Sequence, residues 1–91
     1  GEAIVRKFDD PRMGAVVRLT LPVGSSIGLH THTGNCEVIY ILSGSGQCID
    51  DDTQYPVAAG MCHYCPEGHT HSIVNTGDTP LELLGVLPHV K

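Results

Sequence analysis

The sequence predicts an all-β fold, a sandwich or small barrel, from three observations. Short apolar runs are separated by turn residues about every 8 to 12 residues, and the 91 residues include eleven Gly and six Pro. No window shows a convincing helical period. With no Trp and one Phe, the core must consist of aliphatic side chains. We expect one domain over residues 1–91, and because the chain begins with Gly1 instead of Met, we expect residues before it to be missing.

The first half of the chain predicts four strands. A short strand is expected at 3–7, and a stronger one at 15–21, where apolar residues at odd positions alternate with Val16, Arg18 and Thr20. A third strand, 26–32, leads through the turn Thr33-Gly34-Asn35 into 37–43, the most β-prone stretch of the chain.

The second half predicts the remaining strands. Segments 47–50 and 55–57 flank the acidic tip Asp50-Asp51-Asp52, interpreted as a solvated hairpin in preference to a cation site. Gly60 is expected to start a strand that runs to Cys65. Strands at 71–75 and 81–87 complete a set of eight or nine.

Charge and hydropathy exclude two classes of partner. The formal net charge is −5, and the five Lys and Arg residues are scattered, so no basic patch is available for nucleic acid. The longest apolar run, 38–42, is too short to cross a bilayer, and no charged-then-apolar leader opens the chain. These observations predict a cytoplasmic protein that binds neither nucleic acid nor membrane.

The cysteines are interpreted as reduced thiols. The spacing of Cys62 and Cys65 also fits a redox or zinc pair, but residues three apart on a strand point to opposite faces. Cys36 and Cys48 complete the set. The role of Cys62, His63 and Cys65 is left open, because the strand parity after Gly60 is not fixed.

Three histidines and a glutamate form a candidate metal site. His30 and His32 project from the same face of a strand, and Glu37 begins the strand that returns beside them. His71 lies on a later strand. Three imidazoles and a carboxylate suit one divalent transition metal, Mn, Fe, Co, Ni, Cu or Zn, and leave up to two positions for water or substrate. The other histidines, at 63, 69 and 89, are interpreted as ordinary surface or core residues.

The spacing of these residues forms two motifs. The first is Gly24, five residues, His30-x-His32, four residues, Glu37, six residues, Gly44. The second is Gly60, five residues, Pro66-x-Gly68, two residues, His71, three residues, Asn75.

With both motifs intact, the sequence closely resembles the cupin superfamily, its small single-domain members in particular, from Gly24 to Asn75. The resemblance implies a jelly-roll barrel of two antiparallel sheets, with metal ligation by His30, His32, Glu37 and His71. Asn75 is interpreted as structural or as a support to the metal site, its amide bonding a nearby turn or a ligand.

Strand parity predicts what surrounds the metal. Ile39, Ile41 and Ile73 share the ligand face and are expected to line a narrow apolar pocket. The opposite parity puts Val38, Tyr40 and Leu42 outward, where such a stripe needs a cover. We expect a homodimer.

Two functions follow from these residues and this resemblance. The leading hypothesis is metal-assisted chemistry on a small molecule, of dioxygenase, isomerase, decarboxylase or lyase type. The alternative is a non-catalytic metal-containing domain that binds or senses a small ligand, because fold alone does not decide function. Against the enzyme stands the lack of a clear second acid or base on the ligand face.

Overall fold

The computed structural model describes residues 4–90, and within that range the secondary structure is all β. Nine strands follow one another along the chain: β1 Ile4–Asp10, β2 Gly14–Leu21, β3 His30–Thr31, β4 Glu37–Ser43, β5 Ser45–Asp50, β6 Thr53–Ala58, β7 Cys62–Cys65, β8 Thr70–Val74 and β9 Leu81–Pro88. In this part of the chain no helix exists that could span a membrane.

The strands form two antiparallel sheets, which confirms the predicted fold class. The larger sheet has the order β1-β2-β9-β4-β7, and the smaller has the order β3-β8-β5-β6. Between them lies one apolar cluster. Its buried members are Leu19, Leu21, Ile39, Ile41, Leu81 and Leu83 from the larger sheet and Cys48, Val57 and Ile73 from the smaller one.

The strand predicted at 26–32 is wrong in its extent. Only His30 and Thr31 pair as a strand, while Ser26 makes an isolated bridge to Val74. Gly28 has φ +81°, a left-handed conformation that ends the extended backbone, and its N–H donates to the Ser26 hydroxyl. The connection before His30 is therefore mostly a loop.

Smaller differences concern strand ends. The hairpin strands β5 and β6 extend beyond the predicted 47–50 and 55–57, closing with Asp50 paired to Thr53. Strand β7 begins at Cys62, because Gly60 has φ +89° and belongs to the preceding turn. Strand β1 runs to Asp10, and Ala3, the predicted start, lies outside the described residues.

Strand parity in the larger sheet agrees with the prediction. Val38, Tyr40 and Leu42 are 39%, 40% and 38% exposed, so the stripe faces outward. Cys62 is exposed and Cys65 buried, on opposite faces of β7, and all four cysteines are free thiols.

Candidate metal centre

Three chain segments bring the four predicted ligands together. Antiparallel pairing of β3 with β8 sets His30 opposite His71. His32 follows directly after β3, where its backbone N–H donates to the carbonyl of His69. Glu37 is the first residue of β4, in the other sheet. The site therefore joins the two sheets at one end of the barrel.

The ligand atoms of His30, His32, Glu37 and His71 all lie within 4.8 Å of one another. The Nε2 of His71 is 2.8 Å from Nε2 of His32, 3.0 Å from Nε2 of His30 and 2.9 Å from Oε1 of Glu37. The same oxygen of Glu37 is 3.1 Å from His32 Nε2 and 3.7 Å from His30 Nε2.

These separations fit a single transition-metal ion. With metal–ligand distances of about 2.1 Å, two ligands at right angles lie about 3 Å apart. The separations around His71 Nε2 have that size. Three imidazole nitrogens and one carboxylate oxygen also match the ligand preferences of divalent first-row metals.

Each ligand histidine is held by its second nitrogen. Nδ1 of His30 lies 2.8 Å from the carbonyl oxygen of Gly28, and Nδ1 of His32 lies 2.8 Å from Oδ1 of Asn35. Both partners accept, so the ring proton sits on Nδ1 and Nε2 is free to bind a metal. Nδ1 of His71 lies 2.9 Å from Nε2 of His63.

The four candidate ligands differ in solvent exposure, and their surroundings set the charge state of Glu37. His32, Glu37 and His71 are buried, whereas the His30 side chain is 39% exposed, so solvent reaches the ligand set from the His30 side. Burial by itself raises the pKa of the Glu37 carboxyl. The hydrogen bond from His71 and the charges of the three histidines outweigh burial and hold that pKa below its ordinary value, so the carboxylate form is favoured.

The larger sheet leaves room for the Glu37 carboxylate. A Cβ atom placed on Gly85 of β9 would lie 2.7 Å from Oε2 of Glu37. Gly85 lies outside both motifs, so the sequence pattern does not predict this contact.

His63 was also missed as part of the site. The structure places this buried side chain between His71 and the hydroxyl of Tyr55. Burial, followed by the positive charge of His71, lowers the pKa of His63 and favours the neutral imidazole. Its pairing with the inward-facing Ile39 would have revealed this orientation, but that pairing could not be fixed from sequence.

The other predicted site residues lie in two places. Ile39, Ile41 and Ile73 are fully buried members of the apolar core, and a pocket lined by them stays a prediction. Asn75 is buried and connects loops: its amide nitrogen donates to the carbonyls of Leu21 and Thr79, and its Oδ1 accepts from the N–H of Gly77. These bonds go to turns and not to a metal ligand.

Comparison with known proteins identifies the family. A family model described as the cupin domain matches residues 17–87. An oxalate-binding protein of Thermotoga maritima is 47% identical over 70 residues, which are 77% of this chain and 58% of that protein. An uncharacterized protein of Methanocaldococcus jannaschii is 34% identical over 87 residues, covering 90% of this chain and 70% of that protein. The chain thus spans little more than half of the first relative.

Solved structures agree with this result. A predicted oxalate decarboxylase from Thermotoga maritima superposes with a TM-score of 0.93 at 37% identity, covering 99% of this chain and 83% of that one. The cupin domain of Schizosaccharomyces pombe Cnp3 superposes with a TM-score of 0.90 at 18% identity, covering 97% and 61% of the two chains, and supports the fold alone.

Proposed function

We propose that this chain, which belongs to the cupin family, is a metal-dependent domain that binds a small dicarboxylate of the oxalate type. The observation that carries the proposal is the convergence of His30, His32, Glu37 and His71 within 4.8 Å. The name of the oxalate-binding relative, 47% identical over 70 residues, supports the choice of ligand class.

Charge supports an anionic ligand. Three neutral imidazoles and one carboxylate around a divalent ion leave one positive charge in excess. A four-ligand set leaves up to two positions on a six-coordinate metal, and a dicarboxylate can fill both with two oxygens. The half-exposed His30 marks the side from which such a ligand would enter.

Metal-assisted turnover is the second candidate. The buried positions of His32, Glu37 and His71 favour it, because a metal ion polarises an oxygen ligand more strongly where water is excluded. Binding without turnover is favoured by the side chains around the candidate ligands, which offer little further acid–base chemistry. Among residues 4–90, His63 is the one further titratable side chain that hydrogen-bonds a ligand histidine, and it is already engaged on both ring nitrogens.

Elemental analysis tests the metal site. Protein purified without a metal-affinity step is expected to carry close to one transition-metal ion per chain. His71→Ala removes the ligand that is nearest to the other three and should abolish retention, whereas His89→Ala, which changes an exposed histidine outside the cluster, should leave it intact. Equal metal content in the two variants would refute the site.

Calorimetric titration tests the ligand. We expect oxalate to bind the Mn(II)-, Co(II)- and Zn(II)-loaded protein, and not the metal-free protein or His71→Ala. Mass spectrometry and oxygen uptake then decide between the two functions. Oxalate recovered unchanged with every ion, including Fe(II), supports binding, while ion-dependent loss of oxalate supports turnover. Oxalate binding of equal strength without metal would contradict both.

We also infer that the chain forms a homodimer through the outer face of the larger sheet. Cross-strand register aligns five apolar side chains in one row across all five strands: Phe8, Val16, Val86, Val38 and Tyr64. Phe8 is 70% and Tyr64 55% exposed. A continuous apolar row of this kind on an exposed sheet is typical of an interface.

The predicted cytoplasmic location stays a prediction.

Sedimentation at micromolar concentration tests the dimer. We expect a dimer for the unmodified chain and a monomer for Val38→Glu, which places a charge in the middle of the row. Gln54→Glu, an exposed position on the smaller sheet, is the matched control and should stay dimeric. A monomeric unmodified chain would overturn the inference.

A further inference from the structure

A buried chain of hydrogen bonds leads from the metal ligands into the barrel. His63 is the only buried histidine outside the ligand set within the described part of the protein. Its Nε2 lies 2.9 Å from Nδ1 of His71, and its Nδ1 is hydrogen-bonded to the hydroxyl of Tyr55. The chain therefore connects His71 to two further side chains, His63 and Tyr55.

Proton positions along this chain are fixed once a metal binds. A neutral imidazole carries a single N–H. When Nε2 of His71 gives its lone pair to a metal, its proton must sit on Nδ1 and point to Nε2 of His63. His63 must then accept at Nε2 and carry its own proton on Nδ1, which donates to the oxygen of Tyr55. The Tyr55 proton then points away from His63.

His63 differs from the partners of the other two ligands. The carbonyl of Gly28 and the Oδ1 of Asn35 can only accept, so each imposes the required tautomer by itself. An imidazole nitrogen can accept or donate. The direction of the bond between His63 and His71 therefore depends on the next group, and Tyr55 can fill the role of acceptor.

We propose that His63, oriented by Tyr55, is the positioning residue that holds His71 in its metal-binding tautomer. This inference rests on the proposed metal site and does not depend on which ligand the metal binds. It assigns a role to two residues that occupy no fixed position of either sequence motif.

The first test needs no substitution. Zinc is a suitable probe because it has no redox chemistry and no unpaired electrons. In ¹⁵N-labelled, zinc-loaded protein, long-range proton–nitrogen correlation spectra should show the His71 ring proton on Nδ1 and the His63 ring proton also on Nδ1. A His63 proton on Nε2 would overturn the proposal.

Substitutions then measure the effect on affinity. His63→Leu removes the acceptor, and we expect zinc affinity, measured by competition with a chelator, to fall about 10- to 100-fold. His63→Gln keeps a side-chain oxygen that can accept the His71 proton and should restore most of that loss. Tyr55→Phe removes only the hydroxyl; we expect a mixed His63 tautomer in spectra of the metal-free variant, and a smaller loss of zinc affinity than in His63→Leu.

The outcomes separate this inference from the metal site itself. If the unmodified chain binds no zinc, the metal site fails. If it binds zinc and His63→Leu binds equally well, only the positioning role fails. A His63→Gln variant that folds, as judged by circular dichroism, but loses as much affinity as His63→Leu would indicate a purely structural role and also overturn the proposal.

Discussion

At the scale of single residues, the position of the Glu37 carboxylate depends on the neighbouring strand. Gly85 of β9 is buried and opposes Ile39 of β4. A methyl group there would approach Oε2 of Glu37 to 2.7 Å, closer than non-bonded atoms pack. The carboxylate is the flexible partner of this contact, so it would move and the backbone would not.

Gly85→Ala is therefore expected to weaken metal binding while leaving the fold intact. The displaced carboxylate leaves its place beside His32 and His71, and zinc affinity should fall about 10-fold or more. Val86→Ala is the matched control. Val86 is the next residue of β9, and its side chain lies on the face of the strand that points away from Glu37. Equal zinc affinity in the two variants would show that Gly85 does not shape the site.

Some residues of the site could be predicted from the sequence and others could not. The four ligands were predictable because their spacing repeats a motif and strand parity puts His30 and His32 on one face. His63 and Gly85 were not predictable, because neither motif records their contacts. His63 contacts His71 from the opposite sheet, and Gly85 contacts Glu37 across the pairing of β9 with β4. Cross-strand register is a property of the folded chain and has no local signal in either segment.

At the scale of elements, alternation predicted the long strands well and the loop-rich entry to the site poorly. In β4 the buried Ile39 and Ile41 alternate with exposed side chains, so the pattern is clear. Segment 26–32 has Gly28, His30 and His32 at alternate positions, a pattern that resembles a strand. Left-handed Gly28 interrupts the backbone there, and a sequence pattern does not reveal the sign of φ.

The turn between β5 and β6 supports a prediction about pH. Asp51 has φ +51°, and its carboxylate accepts from the N–H of Thr70 and from the ring of His69. The backbone hydrogen bond from Thr70, followed by that from His69, lowers the pKa of Asp51. A carboxyl whose pKa is lower in the folded chain stabilises the fold above its ordinary pKa, and this contribution disappears as the pH falls through the folded value.

Asp51→Asn isolates that contribution, because Asn tolerates the positive φ as well as Asp does. In metal-free protein at neutral pH we expect the melting temperature to drop by about 1–4 °C, a small change because the group is exposed. As the pH falls through the lowered pKa of Asp51, this side chain loses its charge, and the melting temperatures of the two forms should converge. A difference that grows toward low pH would contradict the assignment.

At the scale of the whole molecule, the four candidate metal ligands come from both sheets. His30, His32 and His71 come from the side of the smaller sheet and Glu37 from the larger one. The apolar core between the sheets consists of aliphatic side chains and Cys48, and no aromatic ring belongs to its buried set among the described residues. An ion held by both sheets, as proposed, would add a link that the core alone lacks.

Metal removal is therefore expected to cost much of the stability. A ligand that binds only the folded state adds about 4 kcal/mol at 1,000 times its dissociation constant. For a domain of about this size, each kcal/mol corresponds to about 4–8 °C in melting temperature. Chelation should thus lower the melting temperature of the zinc-saturated protein by roughly 15–30 °C. His71→Ala should melt at the same temperature with and without zinc, and magnesium, which prefers oxygen ligands, should not replace zinc. If the unmodified chain melts at one temperature in zinc and in chelator, the four residues do not hold a metal that links the two sheets.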